Sequence, residues 1–129
     1  MFLEMATRRV LIIDDEKPIQ EAVRLCLETF SSWEVLTASS GREGLVKAEA
    51  EQPDAVLLDV LMPDMDGVTI LQHLRKNPVT QSVPVILLSA NVSLVEAAQF
   101  IEMEVMGLIT KPFNPTQLVA QITEIMDWH

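Results

Sequence analysis

A chain of 129 residues fits one compact domain with little left for a second, and 49% hydrophobic residues can build a real core. Its formal net charge of −10 argues against direct binding to nucleic-acid phosphates, which needs clustered Lys and Arg. The single cysteine, Cys26, excludes an internal disulfide and suits a reducing cytoplasm, and no apolar run approaches the length of a membrane span.

Residues 1–8 lack the pattern of a signal peptide and read as a flexible tail, leaving 9–129 as the domain. A first strand is expected at about Arg9 to Asp14. A helix follows from Lys17 to Phe30, with Ile19, Val23, Cys26, Leu27 and Phe30 at helical spacing and Cys26 as a small buried hydrophobe. Trp33 to Ala38 reads as the second strand, and Ser40 as the N-cap of a helix to about Ala50.

Pro53 and Asp54 break the chain before a third strand, Ala55 to Asp59. The loop from Met62 to Gly67 carries turn chemistry and leads into a helix ending near Asn77-Pro78. Pro84 precedes the fourth strand, and Ser93 to about Glu104 is the fourth helix. The fifth strand is short, with Gly107 before it and Pro112 after it. The last helix takes Asn114 as N-cap and Pro115 as first helical residue, with an apolar face of Leu118, Val119, Ile122, Ile125 and Met126. Strand and helix alternate five times, the pattern of an α/β fold whose parallel sheet is covered on both faces.

Four polar positions follow directly on the apolar runs: Asp14-Asp15, Asp59, Ser89 and Lys111-Pro112. In an open parallel sheet these all fall at the carboxyl edge of the strands, where such folds place their sites. Each has an ordinary structural explanation taken singly: a helix-start acid, a strand-end turn, a local hydrogen bond, a salt bridge. Jointly, three carboxylates at one edge repel one another unless a cation sits among them. Carboxylate oxygens suit Mg²⁺, whereas zinc is disfavoured because His73 and His129 have no ligand spacing. With Lys111 and Ser89 the set suits a phosphoryl group, and Asp59 is the candidate nucleophile. Ala90 after Ser89 is small and leaves the site open.

These residues resemble the receiver domain of bacterial two-component response regulators, over essentially the whole chain. The matching segments are Ile13-Asp14-Asp15, Leu58-Asp59-Val60-Leu61-Met62-Pro63-Asp64-Met65-Asp66-Gly67, Leu88-Ser89-Ala90 and Thr110-Lys111-Pro112-Phe113. They are separated by 44 residues from Asp15 to Asp59, 30 to Ser89 and 22 to Lys111. The resemblance implies a flavodoxin-like, doubly wound five-stranded parallel sheet of order 2-1-3-4-5 with five helices. It implies that Asp59 takes a phosphoryl group from a histidine kinase or phosphotransfer protein. Asp14, Asp15, Asp59 and the Leu61 carbonyl would hold Mg²⁺, Lys111 would contact phosphoryl oxygens, and Ser89 would take the switch position. Pro112 would follow a cis peptide bond.

The same resemblance points to a cytoplasmic signalling module rather than an enzyme, acting on a downstream protein or on an effector domain absent from this chain. Docking is expected on the exposed side of the first helix (Gln20, Arg24) and the loop after Lys111. A homodimer through the fourth helix, fifth strand and fifth helix is allowed. Two other functions compete: an Mg²⁺-dependent aspartyl-nucleophile phosphatase, and a degenerate receiver serving as a scaffold. The first normally carries an acid two residues after the nucleophile, where this chain has Leu61. Two departures mark the output side: Leu108 stands at the family's usual aromatic, and Glu104-Val105 replace a usual Gly-Ala. The expected consequence is a readout other than the aromatic swing.

Overall fold

The computed structural model describes residues 7–90 and 93–128. Its elements run β1 (Arg9–Ile13), α1 (Lys17–Phe30), β2 (Glu34–Ala38), α2 (Gly41–Glu51), β3 (Ala55–Asp59), α3 (Gly67–Lys76), β4 (Val85–Ser89), α4 (Leu94–Glu102), β5 (Gly107–Thr110) and α5 (Leu118–Met126). The five strands are parallel in the order β2-β1-β3-β4-β5. This is the flavodoxin-like topology expected from the sequence.

The central strands are apolar on both faces because both faces are covered. Alternate residues part to opposite sides. Leu11, Ile13, Val56, Leu58, Val85 and Leu87 pack against α2, α3 and α4 through Ala48, Ile70, Leu71, Leu74 and Phe100. Val10, Ile12, Leu57, Ile86, Leu88 and Ile109 pack against α1 and α5 through Val23, Leu27, Leu118 and Ile122. Gly44 lets α2 lie close on β1: a Cβ there would stand 2.5 Å from Ile13 Cδ1.

The helix starts follow their capping residues. Ser40, Asp66 and Ser93 each accept a hydrogen bond from the backbone N–H three residues on, satisfying an otherwise unpaired first-turn donor. The helix ends follow geometry that the sequence does not advertise. α4 stops at Glu102, two residues short of the expected Glu104, because Glu104 takes a left-handed φ of 59°. There the Glu104 N–H donates to the Ile101 carbonyl and the Val105 N–H to the Phe100 carbonyl, the paired bonds of a Schellman ending. Gln52 after α2 and Asp127 after α5 are left-handed as well. The last helix also begins later than expected. Pro115–Gln117 forms a 3-10 turn, tightened by Asn114 accepting from the Thr116 N–H at 3.0 Å, and α5 starts at Leu118.

Two apolar assignments need correction. Phe30 is 55% exposed, so α1's stripe ends at Leu27, and Cys26 is only half-buried because it flanks that stripe. Of the tail expected over residues 1–8, positions 1–6 lie outside the described residues. The Arg8 carbonyl accepts from the Glu34 N–H at 2.8 Å, and its guanidinium lies 4.6 Å over the Trp128 ring. Trp128 in turn meets Trp33 edge-on at 5.2 Å between centroids. No helix among the described residues is long and apolar enough to cross a membrane.

Candidate phosphoryl-acceptor site

The carboxyl ends of β1, β3, β4 and β5 bring Asp14, Asp15, Asp59, Ser89 and Lys111 to one edge of the sheet, as the spacing predicted. Oxygens of Asp14, Asp15 and Asp59 lie within 4.8 Å of one another, a carboxylate group able to hold a metal ion. Asp14 is fully buried and Asp59 only 4% exposed. The Lys111 ammonium reaches into them, 3.3 Å from Asp14 Oδ2 and 3.4 Å from Asp59 Oδ1. The Lys111–Pro112 bond is cis, as expected. Ser89 is buried at the end of β4, and its carbonyl accepts from the Lys111 N–H at 2.9 Å.

The charges do not balance. One ammonium faces three carboxylates, with Glu16 Oε1 a further 3.7 Å from the same nitrogen. Burial pushes the Asp59 carboxyl up to about 6 and the Asp14 charge adds to the shift, while Lys111 only partly offsets it. On Lys111 itself burial acts to lower the pKa, but Asp14 and Asp59 outweigh it and the value is raised. The ammonium is therefore held charged, and the excess is negative. A divalent cation matches that excess, and the oxygen donors suit Mg²⁺ chemically.

The loops around the site are fixed by residues such as Gln20 and Asp64, which do not touch the acids' charges directly. Gln20, expected on the exposed side of α1, is 1% exposed. Its amide donates to the carbonyls of Asp14 (3.2 Å) and Ala38 (3.1 Å) and to Ser39 Oγ (3.3 Å), tying the ends of β1 and β2 to α1. Its spacing with Val23 and Leu27, one turn each, was the available signal that it faces inward. Arg24 does lie toward solvent, but it is engaged by Glu21 at 2.5 Å and Glu28 at 3.3 Å on its own helix. Asp64 accepts from the Gly41 and Arg42 N–H groups at 3.0 and 3.2 Å, so the loop after β3 is moored to the start of α2. The Gly41 bond chiefly holds its carboxyl below the usual range. Leu61, two residues after Asp59, is 68% exposed and donates its N–H to Asp59 Oδ1 at 3.3 Å.

An apolar groove of about 460 Å³ opens beside the acids, lined by Pro18, Ile19 and Ala22 of α1 and by Ala90, Lys111 and Phe113.

The family model for the response regulator receiver domain matches residues 10–123. The chain belongs to the response regulator receiver family. This receiver domain is 34% identical over 119 residues to the alkaline phosphatase synthesis transcriptional regulatory protein PhoP of Bacillus subtilis, covering 92% of this chain and 48% of that protein. It is 32% identical to the phosphate regulon transcriptional regulatory protein PhoB of Escherichia coli, again over 92% of this chain and 52% of the relative. The receiver thus spans about half the length of the curated relatives it matches. Among solved structures, chemotaxis protein CheY4 of Vibrio cholerae superposes with a TM-score of 0.85 at 30% identity, covering 93% of this chain and 99% of that one. A CheY-like receiver domain protein from Methanospirillum hungatei gives 0.84 at 30% identity, covering 95% of each chain. The receiver is a signalling module of two-component regulation.

Proposed function

We propose that this receiver is a phospho-acceptor switch in which Asp59 takes a phosphoryl group, with Mg²⁺, from a histidine kinase or phosphotransfer protein. The observation that carries the reading is the Lys111 ammonium bridging Asp14 and Asp59 within a three-carboxylate cluster. In the transfer an Asp59 oxygen forms a bond to phosphorus, the donor's phosphorus–nitrogen bond breaks, and the histidine nitrogen leaves with the electron pair. Lys111 would follow the charge from the carboxylate to the phosphoryl oxygens, and the Ser89 hydroxyl would donate to one of them. Asp14, Asp15, Asp59 and the Leu61 carbonyl would hold Mg²⁺. When bound, the ion offsets the repulsion among the acids and the charge arriving with the phosphoryl group.

The groove between α1 and the segment after Lys111 is the candidate docking surface for the phosphodonor, with Ile19, Ala22 and Phe113 offering apolar contact. Gln20 is not part of it. With Leu108 on β5 in place of an aromatic, the modified state is read by a change in partner binding rather than by an aromatic swing. The partner is a downstream protein or an effector domain outside this chain.

Incubation with Mg²⁺ and a small acyl phosphate tests the reading. We expect acid-stable, base-labile phosphate on the parent protein and none on Asp59→Asn. Absence of label on the folded parent protein would contradict it, and label persisting in Asp59→Asn would move the acceptor elsewhere.

A further inference from the structure

The ladder between β1 and β3 ends at the pair Ile13 and Leu58. Asp15 and Leu61, both expected to hold Mg²⁺, lie beyond that pair, so other contacts must place them. Those contacts converge on a segment that carries none of the motif residues, the turn between β2 and α2 (residues 38–42). From the β1 side, one Gln20 amide donates to the Asp14 and Ala38 carbonyls and to Ser39 Oγ, at 3.1–3.3 Å. The Asp14 N–H donates to the same Ala38 carbonyl at 3.1 Å. From the β3 side, Asp64 accepts from Gly41 at 3.0 Å and from Arg42 at 3.2 Å.

The turn is braced from within. The Ser39 N–H donates to Glu43 Oε1, and Ser40 Oγ accepts from the Glu43 N–H at 3.1 Å. Its backbone also lies hard against the loop after β3. A Cβ on Gly41 would stand 3.0 Å from both Met65 Cβ and Ile70 Cδ1. The loop bearing Asp14 and Asp15 and the loop bearing Leu61 are thus tied to opposite ends of one short, stiff piece of chain. Gln20 is neutral and buried, so it acts on the acids through geometry and not through charge. Loss of such an outer partner typically weakens metal binding by about 10–100-fold.

We propose that the β2–α2 turn is a spacer that sets the separation of the two metal-bearing loops, with Gln20 and Asp64 as positioning residues that tune Mg²⁺ affinity through it. The proposal rests on the reading of the acid cluster as an Mg²⁺ site.

Mg²⁺ can be titrated into the ¹⁵N-labelled full chain and its variants, following the amides of Asp15, Asp59 and Leu61 at a temperature where all are folded. Gln20→Met keeps the size and removes the donor, and it should weaken Mg²⁺ binding by about tenfold. Asp64→Ala should do the same. Asp64→Asn loses the charge but keeps an acceptor for Gly41, and should stay within about threefold of the parent. The two ties act in series, so the double variant Gln20→Met with Asp64→Ala should also lie near about tenfold, not the roughly hundredfold of independent sites. Thr80→Val breaks a buried hydrogen bond to the Leu74 carbonyl (2.8 Å) that neither loop nor turn shares. It should lower the urea midpoint yet leave Mg²⁺ affinity within about twofold. Single variants that bind like the parent, an additive double variant, an equal loss in Thr80→Val, or Asp64→Asn as weak as Asp64→Ala would each overturn the proposal. No response to Mg²⁺ in the folded parent would instead overturn the reading of the cluster as an Mg²⁺ site, and the proposal with it.

Discussion

Asp59 concentrates the conflict in this molecule: a carboxyl meant to be ionised is buried beside another carboxylate, and only one ammonium answers both. Its pKa is raised to about 6 against an ordinary value of 3.8, so the folded state binds this proton more readily than the unfolded chain does. Stability from this group is therefore greatest below about pH 4 and falls as pH rises through about 6. Asp59→Asn should accordingly stabilise the protein at pH 7.5 by about 2 kcal/mol in Mg²⁺-free urea denaturation, with the gain fading toward pH 4. An equal gain at both pH values would mean that repulsion is not its source. Gln20 acts in the opposite direction, because its buried amide satisfies two backbone carbonyls at strand ends. Gln20→Ala should cost about 1–3 kcal/mol in the same assay, as the Asp14 carbonyl loses this donor and the Ala38 carbonyl keeps only the Asp14 N–H at 3.1 Å. The chemistry-bearing residues were legible because each follows an apolar run. The burial of Gln20 is less legible, because a polar side chain on an amphipathic helix suggests the solvent face although its spacing with Val23 and Leu27 points inward.

At the scale of elements, strands were easier to read than helix ends. β3 falls where the sequence places it, Ala55–Asp59, because a fully apolar run bounded by Asp54 has little other way to pack. α2, α4 and α5 end on Gln52, Glu104 and Asp127 in left-handed backbone, none of them glycine, so no turn residue announces the stop. What ends α4 is the pair of bonds to the Ile101 and Phe100 carbonyls, visible only once the chain has turned. Glu104 bears the steric cost of that conformation and glycine would not. Glu104→Gly should therefore raise stability by about 0.5–1 kcal/mol, read as a higher urea midpoint with an unchanged m-value. At the close contact of α2 with β1 the expected sign reverses. Gly44→Ala should destabilise by about 1–3 kcal/mol, since the new methyl would overlap Ile13.

For the whole molecule, the sheet order places β1 and β3 side by side at the centre, and this brings acids 45 residues apart in sequence into one cluster. That juxtaposition, with three acids against one lysine, could be anticipated from the alternation of strands and helices, whereas the contacts of the Lys111 ammonium with both Asp14 and Asp59 could not. A cation that binds the folded cluster and not the unfolded chain should stabilise the whole domain by about 1.4 kcal/mol at ten times its Kd. Mg²⁺ should thus raise the thermal midpoint of the parent protein reversibly with chelator, and do so much less in Asp14→Asn. The central claim is that Asp59 carries the phosphoryl group, and borohydride reduction of the modified protein followed by peptide mapping tests it most directly, because reduction permanently marks an acyl phosphate. The mark is expected on Asp59 alone. A mark on Asp14 or Asp15, or none in folded protein treated with phosphodonor and Mg²⁺, would contradict the account.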